Sequence, residues 1–406
     1  METIYERCCG LDVHKKTVMA AVITPEGRWT EQFGTISREV GELADRLQAA
    51  GVRHVAMEST GVYGKPVWNL LEERGFELLL VNPRHVKAVP GRKTDVKDAE
   101  WLAELLQHGL LRASFVPSRQ ERELRELVRY RKRLIDERAH LSQRIQKLLE
   151  GANLKLGDVA SDVLGTSGRA ILHALAEGRT EPDQLAELAR TSLRPKRDRL
   201  RAALAGSFGA HQRFMLRSQL DLLEHLDRQI AELDAEVGER MRPFEVALTR
   251  LDEIHGIGRR AAEQILAETG VDMSRFPSAA HFCSWARVCP GNNESGGKRR
   301  SAGVGPGNSW LRGALVEAAW AVAHTRRPTF LTARYHRLAA RRGRKRAIVA
   351  VAHSLLIAVY HLLRDGVVFH DLGPQRWDRR RRERLAARAV RRLHDLGYRV
   401  SLEPVA

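Results

Sequence analysis

Five short segments rich in β-branched and apolar residues constrain the fold of this chain more than any other feature of its sequence. They span residues 8–14, 17–23, 29–35, 52–58 and 77–82, and their length and composition are typical of strands. Residues 39–50 and 65–74 have apolar positions at helical spacing, and Gly51 and Gly75 follow them as stop signals. Because three strands precede the first helix, we predict an α/β domain whose mixed sheet begins as a meander.

The sequence changes character after Pro117, where long charged helices are predicted. Two runs of apolar residues are spaced by three, four or seven: Leu124, Leu127, Leu134, Leu141, Ile145 and Leu148, then Leu223, Leu226, Ile230, Leu233 and Val237. Such spacing predicts an antiparallel coiled coil within or between chains. Two amphipathic helices of an ordinary bundle are the alternative.

Length and charge indicate several domains and a polyanionic partner. A chain of 406 residues is long enough for two or three domains, and we place them at 1–117, 118–245 and 246–370, with a basic tail at 371–406. The formal net charge is +18, which favours nucleic acid as a partner. Residues 1–117, 118–325 and 326–406 carry net charges of −1, +5 and +14, so catalysis and backbone binding can be divided between regions.

The cysteines and the apolar segments favour a cytoplasmic protein. The four cysteines form no C-x-x-C pair and have no histidines at zinc-ligand spacing, so neither a disulfide framework nor a zinc site is predicted. No signal peptide pattern opens the chain. The most apolar late run, residues 347–363, is interrupted by His353, Ser354 and His361, and we interpret it as a buried helix and not as a membrane span.

Four carboxylates in the first domain are candidates for a metal site. Asp12 lies in an otherwise apolar or small-residue strand, and Glu58 ends another apolar strand, where an isolated charge is costly unless it is paired or bound to a cation. Asp95 and Asp98 share one face at the start of a predicted helix, although they could serve only as an N-cap and a dipole partner. Carboxylates from different elements are what a two-metal phosphoryl-transfer site requires.

Three strings in this region, GLDVHK, MESTGVYG and KTDVKDAEWLAELL, resemble the RuvC-type DEDD domain of the insertion-sequence one-ten (IS110) transposases, a family that includes the Piv-type invertases. The resemblance implies an RNase H/RuvC-like fold for the first domain and a mostly α-helical C-terminal domain. It also implies that Mg²⁺ or Mn²⁺ is bound by Asp12, Glu58, Asp95 and Asp98.

The resemblance extends through CPGNNESGGKRRSAGVGPGNSWLRGALVEAAW in the last third of the chain. It implies that Ser295 is a DNA nucleophile, whereas Ser301 and Ser309 match the family less well. From the residues alone, Ser295 lies in a glycine-rich cationic loop with Lys298, Arg299 and Arg300, where a phosphate can approach closely. A phosphate-contacting loop without chemistry is the alternative.

Two further regions are candidates for DNA contact. The string LDEIHGIGRRAAEQILAE resembles a helix-hairpin-helix element in which Gly256 and Gly258 expose backbone N–H groups to a phosphate, although it could be a mere helix turn. Basic clusters near the C-terminus include Arg344, Lys345, Arg346, Arg380 and Arg381. They can neutralise phosphates without reading bases, unless they are solvated faces.

The sequence therefore predicts a metal-dependent DNA transposase or site-specific recombinase of the prokaryotic cytoplasm, associated with the nucleoid, that forms a covalent phosphoserine–DNA intermediate. The family resemblance further implies a structured non-coding guide RNA and assembly into homodimers and homotetramers. Two alternatives remain: a nuclease of the Holliday-junction-resolvase type, which needs the carboxylates but not the serine, and a non-catalytic basic scaffold that binds nucleic acid.

Overall fold

The computed structural model describes residues 2–59, 61–81, 95–289, 294–295, 297–299, 304 and 307–401. The chain divides into two compact units, Met1–Arg119 and Gln120–Ala406. The first unit is built around a β-sheet, and the second is largely helical. This arrangement confirms the predicted α/β N-terminal domain and helical remainder, while the finer four-part division of the chain stays a prediction.

The first unit contains a five-stranded mixed sheet in the order β3-β2-β1-β4-β5. Strands β1, β2 and β3 are antiparallel neighbours, whereas β4 and β5 run parallel to β1. The strands are β1 Cys8–Val13, β2 Thr17–Thr24, β3 Gly27–Gly34, β4 His54–Ser59 and β5 Glu77–Val81. The mixed sheet that begins as a meander is therefore confirmed.

Helices cover both faces of this sheet. They are α1 Ser37–Ala49, α2 Gly64–Glu73 and α3 Asp95–Gln107. Leu11 and Val13 of β1 pack in the same hydrophobic cluster as the buried residues of α1 and α2, whereas Cys8 lies in the cluster formed with α3. Because successive side chains of a strand point to opposite faces, Gly10 and Asp12 share the α3 face with Cys8.

Local sequence explains where α1 and α2 end. Gly51 and Gly75 follow them with φ of +67° and +80°, a left-handed conformation that glycine adopts without a Cβ penalty. The next strands, β4 and β5, begin a few residues after these glycines. The glycine stops predicted from the sequence are therefore confirmed.

The second unit consists of helices and one short hairpin. Its helices are α4 Arg119–Gly151, α5 Leu156–Val159, α6 Thr166–Glu177, α7 Pro182–Glu187, α8 Arg197–Ala203, α9 Ala210–Met241, α10 Glu245–Asp252, α11 Arg259–Thr269, α12 Ala279–Trp285, α13 Ser309–His324, α14 Phe330–Arg342, α15 Arg344–Asp365 and α16 Arg376–Asp395. The hairpin strands are β6 Glu294–Ser295 and β7 Lys298–Arg299.

The two long helices α4 and α9 run antiparallel within the chain. Arg131 on α4 pairs with Asp234 on α9 at 2.9 Å. About two turns further along α4, Arg138 pairs with Asp227 at 2.5 Å. The partner number falls as the α4 number rises, which defines the antiparallel direction. Pairing within one chain agrees with one of the two predicted arrangements, while coiled-coil packing itself stays a prediction.

Two hydrophobic clusters stabilise this unit. One lies between α4, α9 and the short helices α5 to α8, and the other includes α10 to α15. Helix α15 is the one described helix that is long and apolar enough to cross a membrane, but half of its most apolar window is buried. Its residues Val351, Leu355 and Val359 are fully buried in the second cluster, as expected for the buried helix predicted from the sequence.

Candidate active site

Asp12 and Glu58 lie side by side at the ends of two adjacent strands. In the parallel pairing of β1 with β4, Asp12 is the direct register partner of Glu58, so the two side chains leave the same face of the sheet. Their exposed fractions are only 7% and 8%. The two carboxylates that sequence reasoning selected from separate strings therefore form one buried pair.

His14 belongs to the same group, although sequence reasoning did not select it. Its Nε2 lies 3.1 Å from Oδ2 of Asp12, within hydrogen-bond distance. The signal was present in the string GLDVHK, because residues two apart in an extended chain point to the same side. A histidine at this spacing can orient the carboxylate of Asp12.

Helix α3 crosses the same face of the sheet, antiparallel to β1. The Sγ of Cys8 donates to the carbonyl of Ala103 at 3.6 Å. An ideal Cβ on Gly10 would lie 2.3 Å from the carbonyl oxygen of Ala99, so only glycine allows this close approach. The same Cβ would lie 2.5 Å from the backbone nitrogen of Ala103, so from Cys8 to Gly10 the contacts move toward the start of α3.

The start of α3 provides the other two predicted ligands. The helix begins at Asp95, whose side chain lies outside the described residues, and Asp98 is partly exposed one turn later. Along β1, Cys8 contacts Ala103 and Gly10 comes close to Ala99. Asp12 is the next residue of β1 on this face, in the direction of the first residues of the helix. The fold therefore directs the start of α3 toward the end of the sheet where Asp12 and Glu58 lie.

The donor chemistry of this pair fits a divalent cation. Two carboxylates in directly adjacent positions repel each other, and burial strengthens the repulsion. Hard cations such as Mg²⁺ and Mn²⁺ bind carboxylate oxygens. Within the described part of the chain, no group of three or more His, Cys, Asp or Glu side chains is arranged to hold a metal, so metal binding by Asp12 and Glu58 stays a prediction.

Ser295 lies in a short hairpin instead of the loop expected from the sequence. Strand β6 pairs with β7 so that Ser295 is the register partner of Lys298. Gly297 in the turn has φ of +73° and no atom within 4 Å of an ideal Cβ, and tight hairpin turns favour glycine in this left-handed region. The side chains of Ser295, Lys298 and Arg299, and all of Arg300 and Ser301, lie outside the described residues.

The predicted helix-hairpin-helix region consists of α10, a turn and α11. Gly256 has φ of +94°, and an ideal Cβ there would lie 2.5 Å from the carbonyl oxygen of Ala318 on α13. Gly258 is exposed and forms the N-cap of α11. Packing against α13 is therefore one requirement for Gly256, and contact of either glycine with DNA stays a prediction.

The first predicted basic cluster is exposed at the junction between α14 and α15. Gly343 separates the helices with φ of +83°, and Arg344, Lys345 and Arg346 are all exposed. No ion pair among the described residues involves these three side chains. Arg380 and Arg381 lie on α16, with side chains outside the described part of the chain.

The buried thiols are poor candidates for the nucleophile. Burial raises the pKa of Cys8 to about 11, against a smaller opposing effect of Arg28, and burial raises the pKa of Cys283 to about 12. Burial also raises the pKa of Cys9 well above its ordinary value. Since the thiolate is the reactive form of cysteine, these three side chains are chemically inert near neutral pH.

Comparison with known proteins connects both regions to one family. A family model for the DEDD type of IS110 elements, described as a transposase, matches residues 9–154. A second model, described as the transposase IS116/IS110/IS902 family, matches residues 248–336. The first match includes all four predicted acidic ligands, and the second includes Ser295.

Individual proteins agree with these matches. The chain is 29% identical to a probable family 20 transposase of Pseudomonas aeruginosa, over 66% of this chain and 70% of that protein. It is 25% identical to an insertion element IS110 protein of 43.6 kDa from Streptomyces coelicolor, over 90% of this chain and 96% of that protein. Among solved structures, T. thermophilus RuvC in complex with a Holliday junction substrate matches with 15% identity and a TM-score of 0.21, over 27% of this chain and all of that one. The two family models and the two transposase relatives together show that the chain belongs to the IS110 family of transposases.

Proposed function

We propose that this transposase cuts and rejoins DNA with two sets of residues: metal-binding carboxylates in the first unit and Ser295 in the second. The observation that carries the proposal is the buried register pair of Asp12 and Glu58. A transposase has to break and form phosphodiester bonds, and two adjacent carboxylates at a strand end are suited to hold cations for that reaction.

Asp95 and Asp98 complete the proposed ligand set. The order of the contacts between β1 and α3 supports this assignment, because from Cys8 to Gly10 they move toward the first turn of the helix. An RNase H/RuvC-like first domain is supported by the strand order and by the position of the acidic residues at one end of β1 and β4. Mg²⁺ or Mn²⁺ held there would stabilise the charge that develops on phosphoryl oxygens.

The proposed reaction exchanges one phosphodiester bond for another in two steps. Ser295 Oγ attacks a DNA phosphorus, the Oγ–P bond forms, and the bond from phosphorus to one DNA oxygen breaks. The proton of the serine passes to the departing DNA oxygen. A hydroxyl of the new DNA partner then attacks the phosphoserine and restores the serine, so no external energy source is consumed.

Binding of nucleic acid is assigned to the basic residues. Lys298, Arg299 and Arg300 flank the serine, and the exposed cluster of Arg344, Lys345 and Arg346 is suited to the DNA backbone. Arg380 and Arg381 on α16 add to the same electrostatic attraction, and Gly256 and Gly258 add backbone donors if the turn is a helix-hairpin-helix element.

The family resemblance supports three further parts of the proposal. These are a structured non-coding guide RNA that helps to choose the DNA sites, assembly as homodimers and homotetramers, and action at the bacterial nucleoid in the cytoplasm. Sequencing of RNA copurified with the protein tests the first, and light scattering of the protein with and without DNA tests the second.

A resolvase-type metal nuclease is the second candidate function, because the pair of Asp12 and Glu58 serves it equally well. Replacement of the serine separates the two. Ser295→Ala keeps every carboxylate, so a nuclease that uses water would still cut, whereas a serine mechanism would lose cleavage and covalent linkage together.

The experiment is denaturing electrophoresis of the protein with labelled element-end DNA and any RNA encoded beside the gene. Ser301→Ala and Ser309→Ala are the matched controls, since both serines lie in the same family string. We expect a protein–DNA adduct with the wild type and both controls and none with Ser295→Ala. Normal cleavage by Ser295→Ala without an adduct in any sample would favour the nuclease.

A further inference from the structure

The serine segment, residues 288–306, carries Ser295 and begins and ends at neighbouring points of the second unit. Arg287 precedes it with φ of +54°, and Gly307 follows it with φ of +37°. An ideal Cβ on Gly307 would lie 2.5 Å from Cβ of Arg287 and 3.2 Å from the carbonyl oxygen of Ala286. The two ends of the serine segment are therefore in direct contact, at a distance that only glycine allows.

Asn308, the next residue, makes hydrogen bonds in two directions. Its Oδ1 accepts from the backbone N–H groups of Trp310 and Leu311, at 3.0 and 3.1 Å, and so caps α13. Its Nδ2 donates to Oε2 of Glu268 on α11 at 2.7 Å. Glu268 is 0% exposed, so this bond joins the end of the serine segment to a charge in the interior of the unit.

Two arginines of α4 bind Glu268, one through its carboxylate and the other mainly through the backbone. Arg129 donates from Nε and Nη2 to the two oxygens of Glu268 at 2.6 and 2.8 Å. Arg125 donates to the backbone carbonyls of Ala267 and Glu268 at 3.0 and 2.9 Å. A two-bond arrangement of guanidinium with carboxylate fixes orientation as well as distance, so α4 and α11 are rigidly joined here.

Trp310 extends the same connection. The guanidinium carbons of Arg129 and Arg133 lie 5.6 and 5.5 Å from the centroid of its ring, within the range of cation–π attraction. Gln264 donates from Nε2 to the carbonyl oxygen of Trp310 at 3.1 Å. The first turn of α13 is thus held by α4 and α11, beside the end of the serine segment.

We propose that Glu268, Asn308 and Arg129 form a clamp at the end of the serine segment, and that this clamp positions the segment for reaction. The clamp fixes the end of that segment to α4, the helix that follows the first unit directly in the chain. Folding does not require the bond from Asn308 to Glu268, since serine or aspartate caps a helix as well as asparagine and Glu268 keeps its arginines. These three are positioning residues, and their proposed role rests on the proposed serine mechanism.

The test uses variants that keep the cap and alter the bond to Glu268. Asn308→Ser keeps a capping oxygen but is too short to reach Glu268. Asn308→Asp also keeps the cap and places a second carboxylate against the first. In the double variant Glu268→Gln with Asn308→Asp, the glutamine amide can donate to the aspartate, so the hydrogen bond is restored with its direction reversed.

The measured quantities are the single-turnover rate of serine–DNA adduct formation at saturating DNA, the Kd for DNA and the Tm. A misplacement of about 1 Å can lower a rate on the order of 100-fold. We expect such a loss for Asn308→Ser, with Kd and Tm close to wild type. Asn308→Asp should slow the reaction as well and should also lower Tm, because two buried carboxylates in contact repel each other. The double variant should recover part of the rate and part of the Tm. A merely structural role would lower Tm and leave the rate of the folded protein unchanged.

Two controls separate positioning from loss of stability. Thr329→Ala removes the N-cap of α14, where Thr329 accepts from the N–H of Thr332, so it should lower Tm without slowing the adduct. Gly307→Ala places a Cβ against Arg287 and should slow the adduct. Gly373 also has a positive φ, +72°, but no atom lies within 4 Å of an ideal Cβ there, so Gly373→Ala should not slow it.

The wild-type sample distinguishes failure of the clamp from failure of the proposed function. A wild type that forms no serine adduct overturns the serine mechanism, and the clamp with it. A wild type that forms the adduct, with Asn308→Ser reacting at the same rate, overturns the clamp alone. Slow single variants with recovery in the double variant support it.

Discussion

Replacement of Glu58 with glutamine should remove the charge repulsion between positions 58 and 12 in the metal-free first unit. Adjacent parallel strands lie about 4.8 Å apart, and two unit charges about 5 Å apart at an effective dielectric constant of about 20 repel by about 3 kcal/mol. We therefore expect a coupling of about 1–3 kcal/mol between Glu58→Gln and Asp12→Asn in a double-mutant cycle of unfolding with a chelator present. Each replacement should be more stabilising, or less costly, where the other carboxylate is intact.

The same replacement should remove the response to metal. A cation that binds only the folded state adds RT ln(1 + [L]/Kd) to stability, which is about 1.4 kcal/mol at ten times Kd. Wild type should gain this stabilisation from Mg²⁺, and Glu58→Gln should gain little of it. Hydrogen exchange of the β1 and β4 amides, with chelator and with Mg²⁺, measures both effects within the first unit.

Glu263→Gln is the matched control for this prediction. Glu263 is also buried, but its oxygens pair with Arg131 at 2.8 Å and with Arg259 at 2.9 Å. Removal of one partner of a buried ion pair costs about 3–5 kcal/mol, so α11 amides should lose protection. If the double-mutant cycle showed no coupling, or if Glu58→Gln kept the full response to Mg²⁺, the interpretation of Asp12 and Glu58 as a cation site would be wrong.

Three further predictions concern activity, nucleic-acid binding and the thiols. Alanine at any one predicted ligand should lower strand transfer by orders of magnitude with folding intact, and chelation should do the same; the variants are Asp12→Ala, Glu58→Ala, Asp95→Ala and Asp98→Ala. Two variants with near-normal activity in Mg²⁺ would contradict the site. Deletion of the chain from Arg376 should weaken binding of unrelated DNA and RNA alike and flatten the dependence of log affinity on log salt concentration; an unchanged slope would show that the tail is a solvated face. In the native protein at pH 8, Cys8 should be about one part in a thousand thiolate at a pKa of about 11, so iodoacetamide should alkylate the partly exposed Cys289 first, as peptide mass spectrometry would reveal. Equal labelling of both would contradict the burial of Cys8.

Much of the first unit was predictable because its signals are local. The alternation within each strand and the glycines after α1 and α2 are set by neighbouring residues, so strand and helix positions followed from the sequence within a few residues. Asp12 and Glu58 stood out because each is a charge in an apolar segment. His14 was overlooked, although its spacing from Asp12 is equally local.

The hairpin at Ser295 was not predicted from these local signals. Glycines and basic residues around the serine predicted a loop, whereas the backbone pairs Ser295 with Lys298 around Gly297. Gly256 is a similar case. Its string predicts a contact with phosphate, which stays a prediction, but gives no sign that Ala318 on α13, a residue distant in the sequence, leaves no room for a Cβ at this position.

Local patterns in the sequence are enough to give the order of strands and helices, the family, and the four carboxylates and one serine that deserve mutation. The folded structure is needed to show that Asp12 and Glu58 are register partners, because register depends on pairing between strands that are separated in the chain by β2, β3 and α1. It is also needed to show that Glu268 meets Arg129 and Asn308, which lie 139 and 40 residues away along the chain. Such partners leave no periodic or local signal, since they come together only when separate helices pack around one buried charge.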